Sequence, residues 1–277
     1  MFIEKTLKFI EESDLSVSLP DIRQVTENDE GNYIIHMSSI CRLSENKLKE
    51  NYLLSQVVIF TLFDAIIDIK YPNLDGLSFK RRYEGLPSTN NFENIFREVY
   101  RVLKLIRNAT IHNRSSLNRD ESGVQLRYTH RNTNFEFNCS SKAISILNTI
   151  VILLAKSFDV RDKYTETLLV AYFNDLTIEV SNISDEFQNS LLPITVPFTF
   201  KWSVRYRITN PKFNYYFETN SYKLENRYKI NENEVYASDE YILHIHEDKY
   251  LIPGEVINEN GEFTKRELLK WKVFGNN

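Results

Sequence analysis

An arginine, an asparagine and a histidine occur at a spacing that suits cleavage of RNA. Residues 107–112 read Arg-Asn-Ala-Thr-Ile-His. On a helix, Asn108 and His112 share a face, and the long side chain of Arg107 can bend back toward the imidazole. Histidine can act as base or acid near neutral pH, and arginine offers a planar fork of donors that matches phosphate oxygens. These types predict attack of a ribose 2′-hydroxyl on its phosphate, with Arg107 and His112 catalytic and Asn108 holding the imidazole or the phosphate.

One copy of this set holds a single histidine, whereas the reaction needs both a base and an acid. Two copies facing each other across a two-fold axis would supply two histidines and two arginines. The sequence therefore predicts a homodimer with a composite site, and it predicts neither a metal nor a cofactor. His244 and His246 share one strand face, but no third ligand at a metal-binding spacing accompanies them, so surface histidines are the favoured interpretation.

The Arg107–His112 stretch lies in a locally basic part of the chain. From Phe79 to Arg131, eleven basic residues stand against five acidic ones, in a chain whose net charge is −4. A protein that coats nucleic acid without selectivity is usually basic, so a phosphate-binding patch on an acidic body is favoured. Arg101, Lys104 and Arg114 are the predicted RNA contacts.

Two acids, Asp64 and Asp68, lie four residues apart near the end of an apolar helical pattern. Acids at that end oppose the helix dipole, so a cationic partner is expected. Asp64 is a candidate supporting residue that would orient Arg107 or His112. The alternative is an ordinary salt bridge or a solvated edge.

Apolar residues at helical spacing predict the elements that would position these groups. Long helices are expected over residues 44–71, 91–112 and about 141–158. The polar segment between the last two contains a possible hairpin that pairs residues 124–128 with 134–138. A further helix, or a pair of helices, is expected within residues 163–192.

The pattern changes after this helical region. Val196 to Ile208 alternate between apolar and polar residues over thirteen positions, which predicts a strand. Shorter strands are expected at Tyr241–His246 and Lys249–Ile252. Arg205 and Arg207 lie on the polar face of the first strand, where they would either contact RNA or form a solvated sheet face.

The second helix, which ends in the pattern R-N-x3-H, and the apolar helices on either side of it resemble the HEPN superfamily over residues 44–158. The resemblance implies a small up-and-down helical bundle. It also implies a metal-independent endoribonuclease that dimerises to join two motifs and serves as a toxin or in phage defence. An antitoxin or another regulatory partner is implied with it.

The fold class predicted from these observations is α+β. Residues 1–160 are expected to form an N-terminal HEPN-like up-and-down bundle with an N-terminal extension. Residues 161–277 are expected to form a smaller, β-rich α+β domain whose ligand the sequence does not identify.

Composition and cysteine usage point to an ordinary globular protein. Apolar residues make up 42% and charged residues 26% of the chain. Cys41 and Cys139 are the two cysteines, and free thiols in a reducing cytoplasm are favoured over a disulfide. The longest apolar run, within Ile144–Ala155, is too short to span a bilayer, so a cytoplasmic protein without a membrane partner is expected.

Two other classes of function stay open at this point. The chain could be a catalytically inactive HEPN module that binds a nucleotide or a protein. It could also be a purely structural interaction protein in which Arg107 and His112 form ordinary polar contacts. An enzyme predicts a histidine exposed in a groove, whereas a structural role predicts a buried and satisfied one.

Overall fold

The computed structural model describes residues 2–36, 48–112, 116–157 and 160–274. Its contacts divide the chain into two compact units made of interleaved segments. The first unit comprises Met1–Ser18, Arg42–Phe158 and Tyr172–Thr195, and the second comprises Leu19–Cys41, Asp159–Ala171 and Val196–Asn277.

The described residues form seven α-helices and twelve strands. The helices are α1 (Phe2–Glu11), α2 (Tyr52–Lys70), α3 (Phe79–Gly85), α4 (Asn91–His112), α5 (Ser141–Lys156), α6 (Lys163–Glu179) and α7 (Lys265–Lys270). The strands are β1 (Asp21–Glu27), β2 (Tyr33–His36), β3 (Leu117–Arg119), β4 (Gly123–His130), β5 (Thr133–Ser140), β6 (Val180–Ser184), β7 (Val204–Thr209), β8 (Phe213–Tyr216), β9 (Ser221–Leu224), β10 (Ala237–Ile245), β11 (Asp248–Pro253) and β12 (Glu262–Thr264).

The helices of the first unit begin and end for local reasons. Helix α2 starts after Asn51, whose side-chain oxygen accepts a hydrogen bond from the backbone N–H of Leu54 at 3.1 Å, which is N-capping. It ends before Pro72, which cannot continue a helix. Helix α5 is capped in the same way by Ser140. The predicted helix at residues 91–112 is confirmed as α4.

Among the described residues, α2 is long and apolar enough to cross a membrane by length and composition alone. Its residues Ile59, Leu62, Phe63, Ile66 and Ile67 are nevertheless buried inside the first unit. A core helix buries its apolar side chains against protein rather than lipid. The placement of α2 is therefore consistent with a soluble protein.

A four-stranded antiparallel sheet packs with these helices in the first unit, with the strand order β3-β4-β5-β6. The predicted hairpin is confirmed as β4 and β5, which pair from Gly123↔Ser140 to His130↔Thr133. Alternate residues of β4 and β5 are buried, among them Val124, Leu126 and Phe137. One face of the sheet therefore closes the core, and the other carries polar side chains.

The second unit contains a five-stranded sheet with the order β11-β10-β7-β1-β2 and a three-stranded sheet with the order β12-β9-β8. The three central strands of the larger sheet run parallel, and its two edge strands are antiparallel to their neighbours. Strand β7 carries Arg205, which is fully buried and bonded to Glu240 at 2.8 Å and to Glu255 at 2.6 Å. The predicted solvated face at Arg205 is therefore a buried ion-pair network, and Arg205 does not face solvent or RNA.

The predicted fold class, an N-terminal up-and-down bundle followed by a smaller β-rich domain, is wrong. The protein is a mixed structure whose helices do not form a single N-terminal bundle, and strands in three sheets run from residue 21 onward. The N-terminal β1 pairs in parallel with β7, far along the chain, and β6 pairs with β5 directly after a helix. Periodicity reports only on neighbours along the chain, so these long-range pairings left no local signal.

The predicted thirteen-residue strand is also shorter in the structure, where only Val204–Thr209 pairs. Pro197 lacks the N–H that a ladder requires. The backbone N–H of Lys201 donates to the Glu255 carboxylate at 3.1 Å instead of to a neighbouring strand. The apolar alternation before residue 204 therefore reflects side chains that pack without strand pairing, such as the buried Phe200 and Trp202.

The burial of Cys139 on β5 gives a testable expectation. Burial raises the pKa of its thiol to about 12, and the thiolate is the reactive form. In a Cys41→Ser variant, which leaves Cys139 as the remaining thiol, a thiol-specific disulfide reagent should react at least about a hundredfold more slowly with folded than with guanidinium-unfolded protein. Equal rates before and after unfolding would show that Cys139 is accessible.

Candidate functional site

Arg107 and His112 meet at the C-terminal end of α4. Arg107 Nη1 lies 3.0 Å from His112 Nε2 and 3.1 Å from Asn108 Oδ1. The backbones of Arg107 and His112 point about 140° apart around the helix, so the contact depends on the reach of the arginine side chain. The His112 side chain is exposed and that of Arg107 is half-buried. All three residues of the predicted catalytic set are therefore together, and the histidine faces solvent.

The chemistry of the two side chains limits how Arg107 and His112 can bond. A guanidinium has donors and no acceptor, so a hydrogen bond across this contact runs from Arg107 Nη1 to His112 Nε2. An imidazole nitrogen that accepts a hydrogen bond carries a lone pair, which is what a general base uses.

Helix α2 supplies the surroundings of Arg107. The guanidinium carbon of Arg107 lies 5.8 Å from the centre of the Phe60 ring, within cation–π range. Asp64 follows Phe60 by one helical turn on the same face. Burial raises the pKa of the Asp64 carboxyl, and the positive charges of Arg82 and Arg107 oppose that shift. Asp64 is therefore a partly buried acid in the electrostatic field of Arg107.

Arg82 on α3 is a residue of this site that sequence reasoning missed. Its Nη1 donates to Asp64 Oδ1 at 2.8 Å, and its Nη2 forms an ion pair with Asp68. The two acids had predicted a cationic partner but not its identity, because α3 follows α2 after an irregular connection. The salt bridge that the sequence offered as the alternative role for Asp64 is therefore present, with Arg82 as the partner. Asp64 and Arg107 also interact through their charges.

Asn108 bonds to the Arg107 side chain. Its Oδ1 accepts from Arg107 Nη1 at 3.1 Å. Burial raises the pKa of Tyr128 to about 12, and Asn108 opposes that shift. Asn108 therefore holds the Arg107 side chain, not the His112 imidazole. In the sequence, Tyr128 is recognisable only as a residue at an inward-facing position of a predicted strand.

Arg101, a predicted RNA contact, is fully buried within the first unit. Its guanidinium donates to both Asp185 carboxylate oxygens, at 2.7 and 3.0 Å, and to Glu98 at 3.0 Å. Its remaining donors reach the carbonyl oxygens of Ser190 and Gln188. Burial alone would lower its pKa, but these carboxylates outweigh burial and raise it. Arg101 has the contacts of a structural residue.

Lys104, the second predicted RNA contact, is also buried. Its Nζ pairs with Glu186 at 2.5 Å and lies 4.2 Å from the centre of the Phe79 ring and 5.2 Å from that of Phe135. Arg114, the third, lies outside the described residues. A three-residue step turns a helix by about −60°, so Arg101 and Lys104 face the 185–190 segment while Arg107 turns toward α2.

Within the described ranges, no group of three His, Cys, Asp or Glu side chains is placed to hold a metal ion. His244 is exposed on β10, and His246 lies in the following turn with a positive φ of 57°. The spacing had predicted that the two histidines share one strand face, and this prediction is wrong because the strand ends before His246.

Comparison of the sequence with models of known families and with curated proteins, and of the structure with solved structures, finds no significant match.

The burial of Arg101 predicts that its loss is a stability defect. Removal of one partner from a buried ion pair leaves uncompensated charge and costs about 3–5 kcal/mol. Arg101→Ala should lower the free energy of unfolding, measured in urea, by that amount. The matched control is Arg81→Ala, an exposed arginine on α3, which should change it by less than about 0.5 kcal/mol. Equal stability of the two variants would refute the structural role.

Proposed function

We propose that this protein is a metal-independent endoribonuclease of the HEPN type. The observation that carries the proposal is the contact of 3.0 Å between Arg107 and an exposed His112. This pair offers a base for the 2′-hydroxyl and a cation for the phosphate at one point on the surface. The proposal rests on this pair and on its place at the end of α4, and it does not depend on the helical bundle that was expected.

The reaction proposed is an in-line transfer of the phosphoryl group. His112 Nε2 takes the proton of the 2′-hydroxyl, the 2′-oxygen forms a bond to phosphorus, and the bond from phosphorus to the 5′-oxygen breaks. A second acid protonates the leaving 5′-oxygen. The products are a 2′,3′-cyclic phosphate and a 5′-hydroxyl, so no metal or cofactor is needed to balance the step. Charge that develops on the phosphate is stabilised by Arg107.

The substrate phosphate must displace His112 from Arg107 before His112 can act as a base. The lone pair of Nε2 is occupied while it accepts from Arg107. A phosphate that binds the guanidinium bidentately competes for the same donor, and this frees Nε2 to accept the proton. The charge of Arg107 acts on Asp64, and Arg82 holds Asp64 by a direct hydrogen bond.

A homodimer would complete the site. One copy supplies a base and a phosphate cation, and a symmetry-related copy would supply the acid. The exposure of His112 is compatible with such a meeting of two copies. A cytoplasmic location and a role as a toxin or in phage defence, under an antitoxin or another regulatory partner, complete the proposal.

A catalytically silent HEPN module is the second candidate. The observation that favours it is that Arg107 and His112 satisfy each other in the free protein. In that case the pair would bind a nucleotide phosphate or a protein carboxylate without chemistry. The cleavage experiment below separates the two candidates.

Wild-type protein should cleave single-stranded RNA in the presence of EDTA. Arg107→Ala and His112→Ala should each lower the rate by at least about a hundredfold, the usual contribution of a general acid–base group. The measurement is a gel assay of end-labelled RNA, with the 2′,3′-cyclic phosphate identified by its resistance to phosphatase until acid opens it.

Two exposed residues of the first unit provide matched controls. His130→Ala and Arg81→Ala remove the same side-chain types at exposed positions that make none of the site contacts described above, and they should leave the rate within about twofold. Equal inertness of wild type and all variants toward RNA would favour the silent module.

The composite site predicts that one inactive subunit disables a mixed dimer. A dimer of one wild-type and one His112→Ala chain holds a single histidine, whereas the composite site uses one histidine as base and the other as acid. Subunit exchange with an excess of the His112→Ala protein should therefore lower the rate per wild-type chain by at least about tenfold. A wild-type rate per chain that stays constant on dilution far below the dissociation constant of the dimer would contradict a shared site.

A further inference from the structure

Four carboxamide side chains form a row across the outward face of the first unit's sheet. Asn118 of β3 pairs with Gln125 of β4, Gln125 pairs with Asn138 of β5, and Asn138 pairs with Asn182 of β6. Directly paired residues in adjacent strands point to the same face. The row therefore crosses every strand of the sheet, over about 14 Å at the usual strand spacing of about 4.8 Å.

Most of this row has free hydrogen-bonding capacity. Among the described residues, the side chains of Asn118, Gln125 and Asn138 make no hydrogen bond to another side chain or to the backbone. Asn182 donates to Glu136 at 2.9 Å, which leaves its carbonyl oxygen as an acceptor. Each free carboxamide presents donors and an acceptor side by side.

The row lies along a groove. The groove has a volume of about 430 Å³ and is lined by Ser116, Asn118, Gln125, Leu126, Arg127, Glu136 and Asn138. Arg127 Nε lies 2.6 Å from Glu136 Oε1, and the Arg127 side chain is 83% exposed. This pair neutralises the one acid of the groove and leaves the terminal nitrogens of Arg127 available to a phosphate.

The groove begins close to His112 along the chain. Four peptide steps separate His112 from Ser116, and each step spans at most about 3.8 Å. The Cα atom of Ser116 thus lies no more than about 15 Å from that of His112. A chain of a few nucleotides can cover that distance.

We propose that this groove binds the bases of single-stranded RNA next to the cleaved linkage, and that its carboxamide row selects among them. Carboxamides match the edges of bases, which carry donors and acceptors side by side. Single-stranded RNA is the form whose base edges are free to be read. The row carries little net charge, so the groove contributes base preference, while Arg107 and Arg127 contact phosphates. This assignment rests on the proposed ribonuclease function for its choice of ligand.

The test uses short fluorescent homopolymers of A, U, C and G whose 2′-hydroxyls are methylated, so that attack is blocked and the wild-type protein can be used. Fluorescence anisotropy gives a Kd for each. Wild type should prefer one base over the weakest by about tenfold or more. Gln125→Ala/Asn138→Ala should reduce that preference to less than about threefold and weaken binding of the preferred homopolymer about tenfold.

The matched control is Thr129→Ala/Asn134→Ala. These two residues form a cross-strand pair on the same face of the same two strands, outside the groove lining. The control should bind all four homopolymers as the wild type does. Circular dichroism checks that both double variants are folded.

The possible outcomes separate this inference from the proposed function. A groove variant that binds like wild type, or a wild type without base preference, overturns the inference, even if unmethylated RNA is cleaved. A groove variant that changes only the oligomeric state overturns it as well, because the row would then be a protein interface. Base-selective binding that is lost in the groove variant supports the inference even if wild type cleaves nothing, whereas the ribonuclease proposal alone would then fail.

Discussion

The buried ion pairs of Arg101 organise the first unit around α4. A fully buried guanidinium is expensive to desolvate, and it is tolerated when every donor finds a partner. Here Asp185, Glu98 and two carbonyl oxygens complete the set. Because these partners include the 185–190 segment, which follows β6 directly, the ion pairs join α4 to the chain beyond the sheet. The end of α4 that carries Arg107 and His112 is thereby held on a fixed support.

The second unit also contains buried arginines that are neutralised by carboxylates. Arg205 and Arg207 of β7 share the fully buried carboxylate of Glu240. Burial alone would raise the pKa of Glu240, but the two arginines outweigh burial and lower it. Tyr164 completes the network at 2.5 Å from Glu240. Such a network contributes little net stability, but loss of one member leaves a buried charge uncompensated.

The basic side chains of residues 79–131 therefore fall into two groups, one buried in ion pairs and one exposed to solvent. Arg101 and Lys104 neutralise buried acids inside the first unit. Arg107 faces an exposed histidine, and Arg127 lies on the outward face of the sheet. A count of charges along the chain cannot separate these groups, because the charge that matters to a phosphate is the part that carboxylates do not already neutralise. The polar groove beside β3, β4 and β5 adds contacts that carry no net charge and that a charge count would never find.

The sequence by itself determined most of α2, the helices α4 and α5, the β4–β5 hairpin and the local grouping of Arg107, Asn108 and His112. These features depend on neighbours along the chain, since helical spacing and capping act within a few residues. Only the tertiary structure decided that β1 pairs with β7, that β6 joins the first unit's sheet and that Arg82 holds Asp64. It also decided which arginines are buried and which face solvent. Those outcomes depend on contacts between distant segments, and no periodicity in one segment records the partner that another segment will supply.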